Sequence, residues 1–167
     1  MTRTLAAVAV LGLIVAVLFS AQPVTGASTD EPALSRAYLH SYNVPANGVA
    51  LEGYCPVAYF AVNKPILGKK EFATDHDGIT YYFVSADARD AFTKNPKKYV
   101  PAYGGWCAFG MAVKDKFPVD PTNFKIVDGK LHLFLRNKGV DALKIWNGKN
   151  ETKLVKDAKA HWRKVQG

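Results

Sequence analysis

Read as a pattern of apolar and polar positions, the chain divides into one wholly apolar opening run and a series of short amphipathic segments. Leu5 to Phe19 carries no charged or strongly polar side chain. Glu31 to His40 then predicts a helix, capped by Thr29 or Asp30 and opened by Pro32, with Ala33, Leu34, Ala37 and Tyr38 on one face. Val57 to Val62 predicts a short strand leaving a tight turn. Ile79 to Val84 is β-branched and aromatic, which predicts a strand with Ile79, Tyr81 and Phe83 on its buried face. Ser85 is placed to cap a helix that runs to about Asn95 and buries Ala88, Ala91 and Phe92, and Pro96 ends it. Tyr103 to Met111 holds too many glycines and bulky groups for an ordinary helix or strand and predicts a tight, half-buried loop. Phe124 to Val127 and Leu131 to Leu135 flank Asp128-Gly129, the pair that supplies the two positive φ angles of a type I′ hairpin. Val140 to Trp146 predicts a short helix. Asn150 caps a last one in which Leu154, Val155, Ala158, Trp162 and Val165 share a face and the lysines meet solvent. No internal repeat is evident. These elements describe a small α+β domain with a short antiparallel sheet, a β-hairpin and flanking helices.

The opening run changes this picture by setting a compartment. Arg3 precedes the apolar stretch, and small residues follow at Val24, Thr25, Gly26 and Ala27, the layout of a signal peptide cut near residue 27. The alternative is a membrane anchor over residues 5–19, but a spanning helix needs roughly 20 apolar residues and Gly12 interrupts this shorter run. The expected organisation is a signal peptide over 1–27, an N-terminal helix and linker over 28–49, and one domain with a C-terminal helix over 50–167. The expected location is periplasmic or secreted. The 167-residue chain has room for one ordinary domain behind its leader. Its net charge of +8 favours acidic surfaces. The basic residues are scattered, with no aromatic interleaving, so nucleic-acid binding is not expected, and membrane contact is expected only through an uncleaved leader.

The block Asp77-Gly78-Ile79-Thr80-Tyr81-Tyr82-Phe83-Val84-Ser85, followed by Phe92, Asn95-Pro96 and Tyr99, resembles the core motif of the YHS-domain family. Gly53-Tyr54-Cys55-Pro56-Val57-Ala58-Tyr59-Phe60 and Tyr103-Gly104-Gly105-Trp106-Cys107-Ala108 are similar to the flanking blocks of an exported YHS-like branch. Together the three span roughly residues 50–135. The resemblance implies a small α+β fold and, in the metal-associated members, cysteine ligands for heavy metals. The chain departs from those members where it matters: Val84 and Ala88 stand where they carry cysteine around the motif serine, and Ala58 replaces the cysteine after Pro-Val.

Cys55 and Cys107 are the only thiols, and three readings of them stand open. A disulfide between them would close a loop worth about 4 kcal/mol in chain entropy. The second reading is a pair of inert, buried thiols. The third is a soft-metal or redox site: Cys107 and Met111 offer sulfur suited to copper in its cuprous state, with Cys55 and His132 completing a candidate metal set. His132 lies on the strand face opposite Leu131, Leu133 and Leu135. His40, His76 and His161 read as surface residues. The aromatic residues of the motif blocks suggest a small-ligand pocket around Tyr54, Tyr82 and Trp106. The readings weigh against catalysis, since no nucleophile–base pair or paired carboxylates are marked by spacing. The function expected is binding of a small ligand or soft metal near Cys55, Cys107 and the Gly-Gly-Trp loop. A thiol redox or catalytic protein, or a structural envelope protein stapled by a disulfide, are the alternatives.

Overall fold

The structure is a computed structural model that describes residues 41–167. The expected leader and the helix expected over residues 31–40 lie outside the described residues. The described residues form a mixed α+β domain whose strands make three antiparallel pairs. A 3₁₀ turn over Ala50–Gly53 leads into α1 (Pro56–Ala61), then the hairpin β1 (Lys69–His76) and β2 (Ile79–Phe83), then α2 (Ala86–Lys94) and α3 (Pro96–Tyr99). A second 3₁₀ turn over Ala102–Gly105 leads into α4 (Ala108–Ala112), the hairpin β3 (Asp120–Val127) and β4 (Lys130–Phe134), the short pair β5 (Arg136–Asn137) and β6 (Val140–Asp141), α5 (Ala142–Asn147) and α6 (Glu151–Val165). No helix among the described residues is long and apolar enough to cross a membrane.

The second half repeats the first. Both 3₁₀ turns use consecutive left-handed residues, Leu51, Glu52 and Gly53 in one and Tyr103, Gly104 and Gly105 in the other. Each turn delivers an aromatic residue and then a cysteine that stands as the N-cap of a short helix, Cys55 for α1 and Cys107 for α4. Each hairpin joins an eight-residue strand to a five-residue strand. Both hairpins turn on Asp-Gly with positive φ at both residues, 52° and 73° at Asp77-Gly78, 50° and 68° at Asp128-Gly129. The registers also correspond. Lys69–Phe83, Thr74–Tyr81, Asp75–Thr80 and His76–Ile79 match Asp120–Phe134, Lys125–His132, Ile126–Leu131 and Val127–Lys130, with an irregularity at the same place in each. The expectation of no internal repeat is therefore corrected: the repeat is one of backbone conformation and pairing, and only a few side chains carry it.

Other expectations also meet corrections. Val57 to Val62 is not a strand, because Pro56 sits at the first helical position, where its fixed φ starts a helix, and residues 56–61 close into α1. Its uniformly apolar sequence reflects burial of Pro56, Val57, Ala58 and Tyr59 rather than a pleated face. The glycine-rich segment from Tyr103 is a loop only as far as Cys107; beyond it Ala108–Ala112 is helical, and Gly110 is needed because a Cβ there would sit 2.8 Å from the Phe117 ring. The helix expected from Val140 begins only at Ala142, because Val140 and Asp141 pair with β5 and Asp141 caps the helix; at the other caps, Ser85 accepts a hydrogen bond from the Ala88 amide, and Asn150 accepts one from Lys153.

Each half builds its own core. Cys55, Tyr59, Ile79, Tyr81, Phe83 and Phe92 belong to the first, and Tyr103, Cys107, Met111, Phe134, Trp146 and Ala158 to the second. Strand β4 is the seam. Leu131 and Leu133 pack into the first core, whereas Phe134 packs into the second and the His132 ring lies against Trp146. This is why β4 is buried on both faces. A further tie crosses the halves where the Tyr59 hydroxyl donates to the Pro121 carbonyl at 2.9 Å.

Candidate functional site

Two cores that meet along one strand leave a space between them, and here it is a cavity of about 480 Å³. Leu51, Ile79 and Tyr81 line it from the first half, and Tyr103, His132 and Leu133 from the second. Corresponding positions of the repeat thus both contribute to the wall, with Leu51 standing where Tyr103 does and Tyr81 where His132 does. Most of the wall is apolar. Its mouth carries Lys97, Lys130 and Lys159 against Glu52 and Asp77. The Lys130 ammonium donates to the Lys97 carbonyl, and Lys159 lies 4.0 Å from Asp128.

Tyr103 and His132 are the polar part of that wall. The His132 side chain is almost wholly buried, at 2% exposure, and Tyr103 is at 5%. His132 Nδ1 lies 3.1 Å from the Lys130 carbonyl oxygen, and Nε2 lies 3.2 Å from the Tyr103 hydroxyl. The two rings meet edge to face at 5.3 Å between centroids. Burial pushes the His132 pKa down, with the Lys159 charge acting the same way against the opposing hydrogen bond to the Lys130 carbonyl and the Glu151 and Asp128 charges. Burial, helped by the Asp128 charge, pushes the Tyr103 phenol up to about 12. Both groups are therefore neutral near pH 7. Tyr103 is held at a positive φ of 55°, but Leu51 has 56° at the matching position, so this conformation belongs to the repeated turn and not to the site.

The residues singled out from sequence fall elsewhere, with one exception. Cys55 and Cys107 are free thiols, both fully buried, and they belong to different cores. Cys107 Sγ accepts backbone N–H groups from Gly110 at 3.5 Å and Leu135 at 3.3 Å. Met111 packs with Cys107 in the second core, on α4. Among the described residues no group of three or more His, Cys, Asp or Glu side chains is placed to hold a metal. The candidate set of Cys55, Cys107, Met111 and His132 is thus not assembled, because Cys55 belongs to a different core from Cys107 and Met111 and both His132 nitrogens face protein partners. Tyr54, Tyr82 and Trp106 do not line the cavity either. Tyr54 packs on the first core, Tyr82 borders a shallow groove with Gly53 and Leu67, and the Trp106 indole donates to the Ser41 carbonyl at 2.7 Å. Tyr82 points away because it follows the cavity-lining Tyr81 on β2, where neighbours face opposite ways.

His132 is the exception, placed in the cavity wall rather than at a metal. His76, read as a surface residue, also lines the cavity; it ends β1 with its ring 5.8 Å from that of Phe92. Tyr81 and Tyr103, motif-block aromatics outside the trio named for the pocket, do line the cavity. The signal that could have found Tyr103 was in the sequence: Ala-x-x-Gly-aromatic-Cys occurs at Ala50–Cys55 and again at Ala102–Cys107, and Tyr103 stands where the first copy has Leu51. Comparison with protein-family models, curated proteins and solved structures gives no match to this chain.

Proposed function

We propose that this chain is an exported, YHS-like domain that binds a small, mainly apolar ligand in the cavity between its two halves. The observation that carries the reading is the 480 Å³ space itself, apolar over most of its wall yet holding a buried, mutually hydrogen-bonded tyrosine and histidine. Its size lies within the range of small-molecule sites, and a few placed polar groups in an apolar wall are what such sites use to orient a ligand. The three sequence blocks that resemble YHS domains support the family, and the leader-like residues 1–27 support export. The lysines at the mouth favour a ligand, or a probe, with an anionic end.

The test uses 8-anilino-1-naphthalenesulfonate, whose apolar rings suit the cavity and whose sulfonate suits the lysines. The purified protein should enhance its fluorescence saturably, with a micromolar Kd. Val119→Trp, which places a large ring at a partly buried position in the cavity wall, should weaken binding at least tenfold while the protein still melts cooperatively. Equal binding by the folded variant would overturn the reading.

A further inference from the structure

We infer that the ligand meets the Tyr103–His132 pair with a hydrogen-bond donor, a hydroxyl or N–H group, and that the cavity discriminates against ligands offering only an acceptor there. The inference rests on the cavity being the binding site.

It follows from which atoms can give a proton. The Lys130 carbonyl can only accept, so His132 Nδ1, 3.1 Å away, must carry the hydrogen. In the neutral ring Nε2 then holds a lone pair. The group facing it at 3.2 Å is the Tyr103 hydroxyl, which therefore donates. With its single proton committed to histidine, the Tyr103 oxygen has only lone pairs left to offer the cavity. Donating to the imidazole also makes that oxygen a stronger acceptor, since linked hydrogen bonds polarise one another. An alcohol or amine placed there gains a hydrogen bond. An ether, ketone or carboxylate brings lone pairs against lone pairs, and a carboxylate is better placed at Lys97, Lys130 and Lys159 at the mouth. The matching positions of the repeat differ: Leu51 and Tyr81 stand where Tyr103 and His132 do, so the first half has no tyrosine–histidine pair there although the turn backbone is the same.

The experiment compares 2-naphthol with 2-methoxynaphthalene by fluorescence titration into the purified protein. The two share an apolar body, and the ether lacks only the donor while adding a methyl group that burial favours. 2-Naphthol should bind about tenfold more tightly, the scale of one hydrogen bond lost against a buried acceptor. His132→Leu releases the Tyr103 proton, so the hydroxyl can donate to the ether, and the contrast should shrink to about twofold. Equal affinities in the wild-type protein, or an undiminished contrast in folded His132→Leu, would overturn the inference. The wild-type pair decides alone if the variant does not fold. If both probes bind equally, the cavity stands and only the donor preference falls; if neither they nor the anilinonaphthalene dye bind, the cavity reading falls with it.

Discussion

Gly104 offers a stringent check on how the second turn docks against α6. Gly104→Ala meets two separate costs. The residue has φ of 60°, a left-handed conformation that costs an L-residue roughly 1–2 kcal/mol. A Cβ there would also lie 2.6 Å from Cη2 of Trp162 and 3.0 Å from Cδ1 of Tyr42. Those two rings form an edge-to-face pair with centroids 5.8 Å apart, an arrangement worth about 0.5–1.5 kcal/mol beyond area burial. Trp162 must swing away and lose that contact. The natural control is Gly48→Ala, where φ is 73° and nothing lies within 4 Å of the added carbon, so only the backbone cost remains. The expectation is about 1 kcal/mol for Gly48→Ala and about 2–3 kcal/mol for Gly104→Ala, read as urea midpoints by circular dichroism. The excess should shrink in a Trp162→Leu background, where the nearest clashing atoms are gone and only Tyr42 Cδ1 stays close. Equal costs for the two glycines, or an excess undiminished in Trp162→Leu, would refute the account. Gly104 and Trp162 both border the cavity, so Gly104→Ala should also weaken dye binding.

His132 predicts an acid-sensitive stability. Its folded pKa lies below the ordinary value of about 6.5, so on acidification the unfolded chain takes up a proton before the native one does. Stability from this group is complete above about 6.5 and falls below it by at most about 1.4 kcal/mol per pH unit until the folded pKa is reached; urea midpoints at pH 7.5 and 5.5 should differ, and His132→Leu should reduce the difference. A slope that His132→Leu leaves untouched would count against a buried neutral histidine. Cys55 and Cys107, both at 0% exposure, should resist a thiol reagent in the native protein and react as two thiols in guanidinium without reductant; no reaction there would show that they are bonded. Tyr59→Phe removes the buried hydrogen bond to Pro121 between the halves and should cost about 1 kcal/mol in urea unfolding, with no loss indicating that the carbonyl finds another donor.

What the sequence determined by itself was local. Asp128-Gly129 specified its hairpin because few pairs adopt two positive φ angles cheaply, Ser85 and Asn150 specified helix starts because their side chains replace missing amide partners, and the even spacing of Ile79, Tyr81 and Phe83 specified a buried face. The α+β class follows from such signals in order. They fail where a segment lacks two contrasting faces: α1 is apolar on every side, and the eight-residue β1 reads as a polar run because all of it is exposed or half-buried. The tertiary structure alone decided that Cys55 and Cys107 belong to different cores, that the second half matches the first in register, and that Tyr103 meets His132. Those outcomes depend on contacts between residues far apart in the chain. A cavity is further removed still, because it exists where two packed halves fail to fill the space between them, and no single segment encodes that failure.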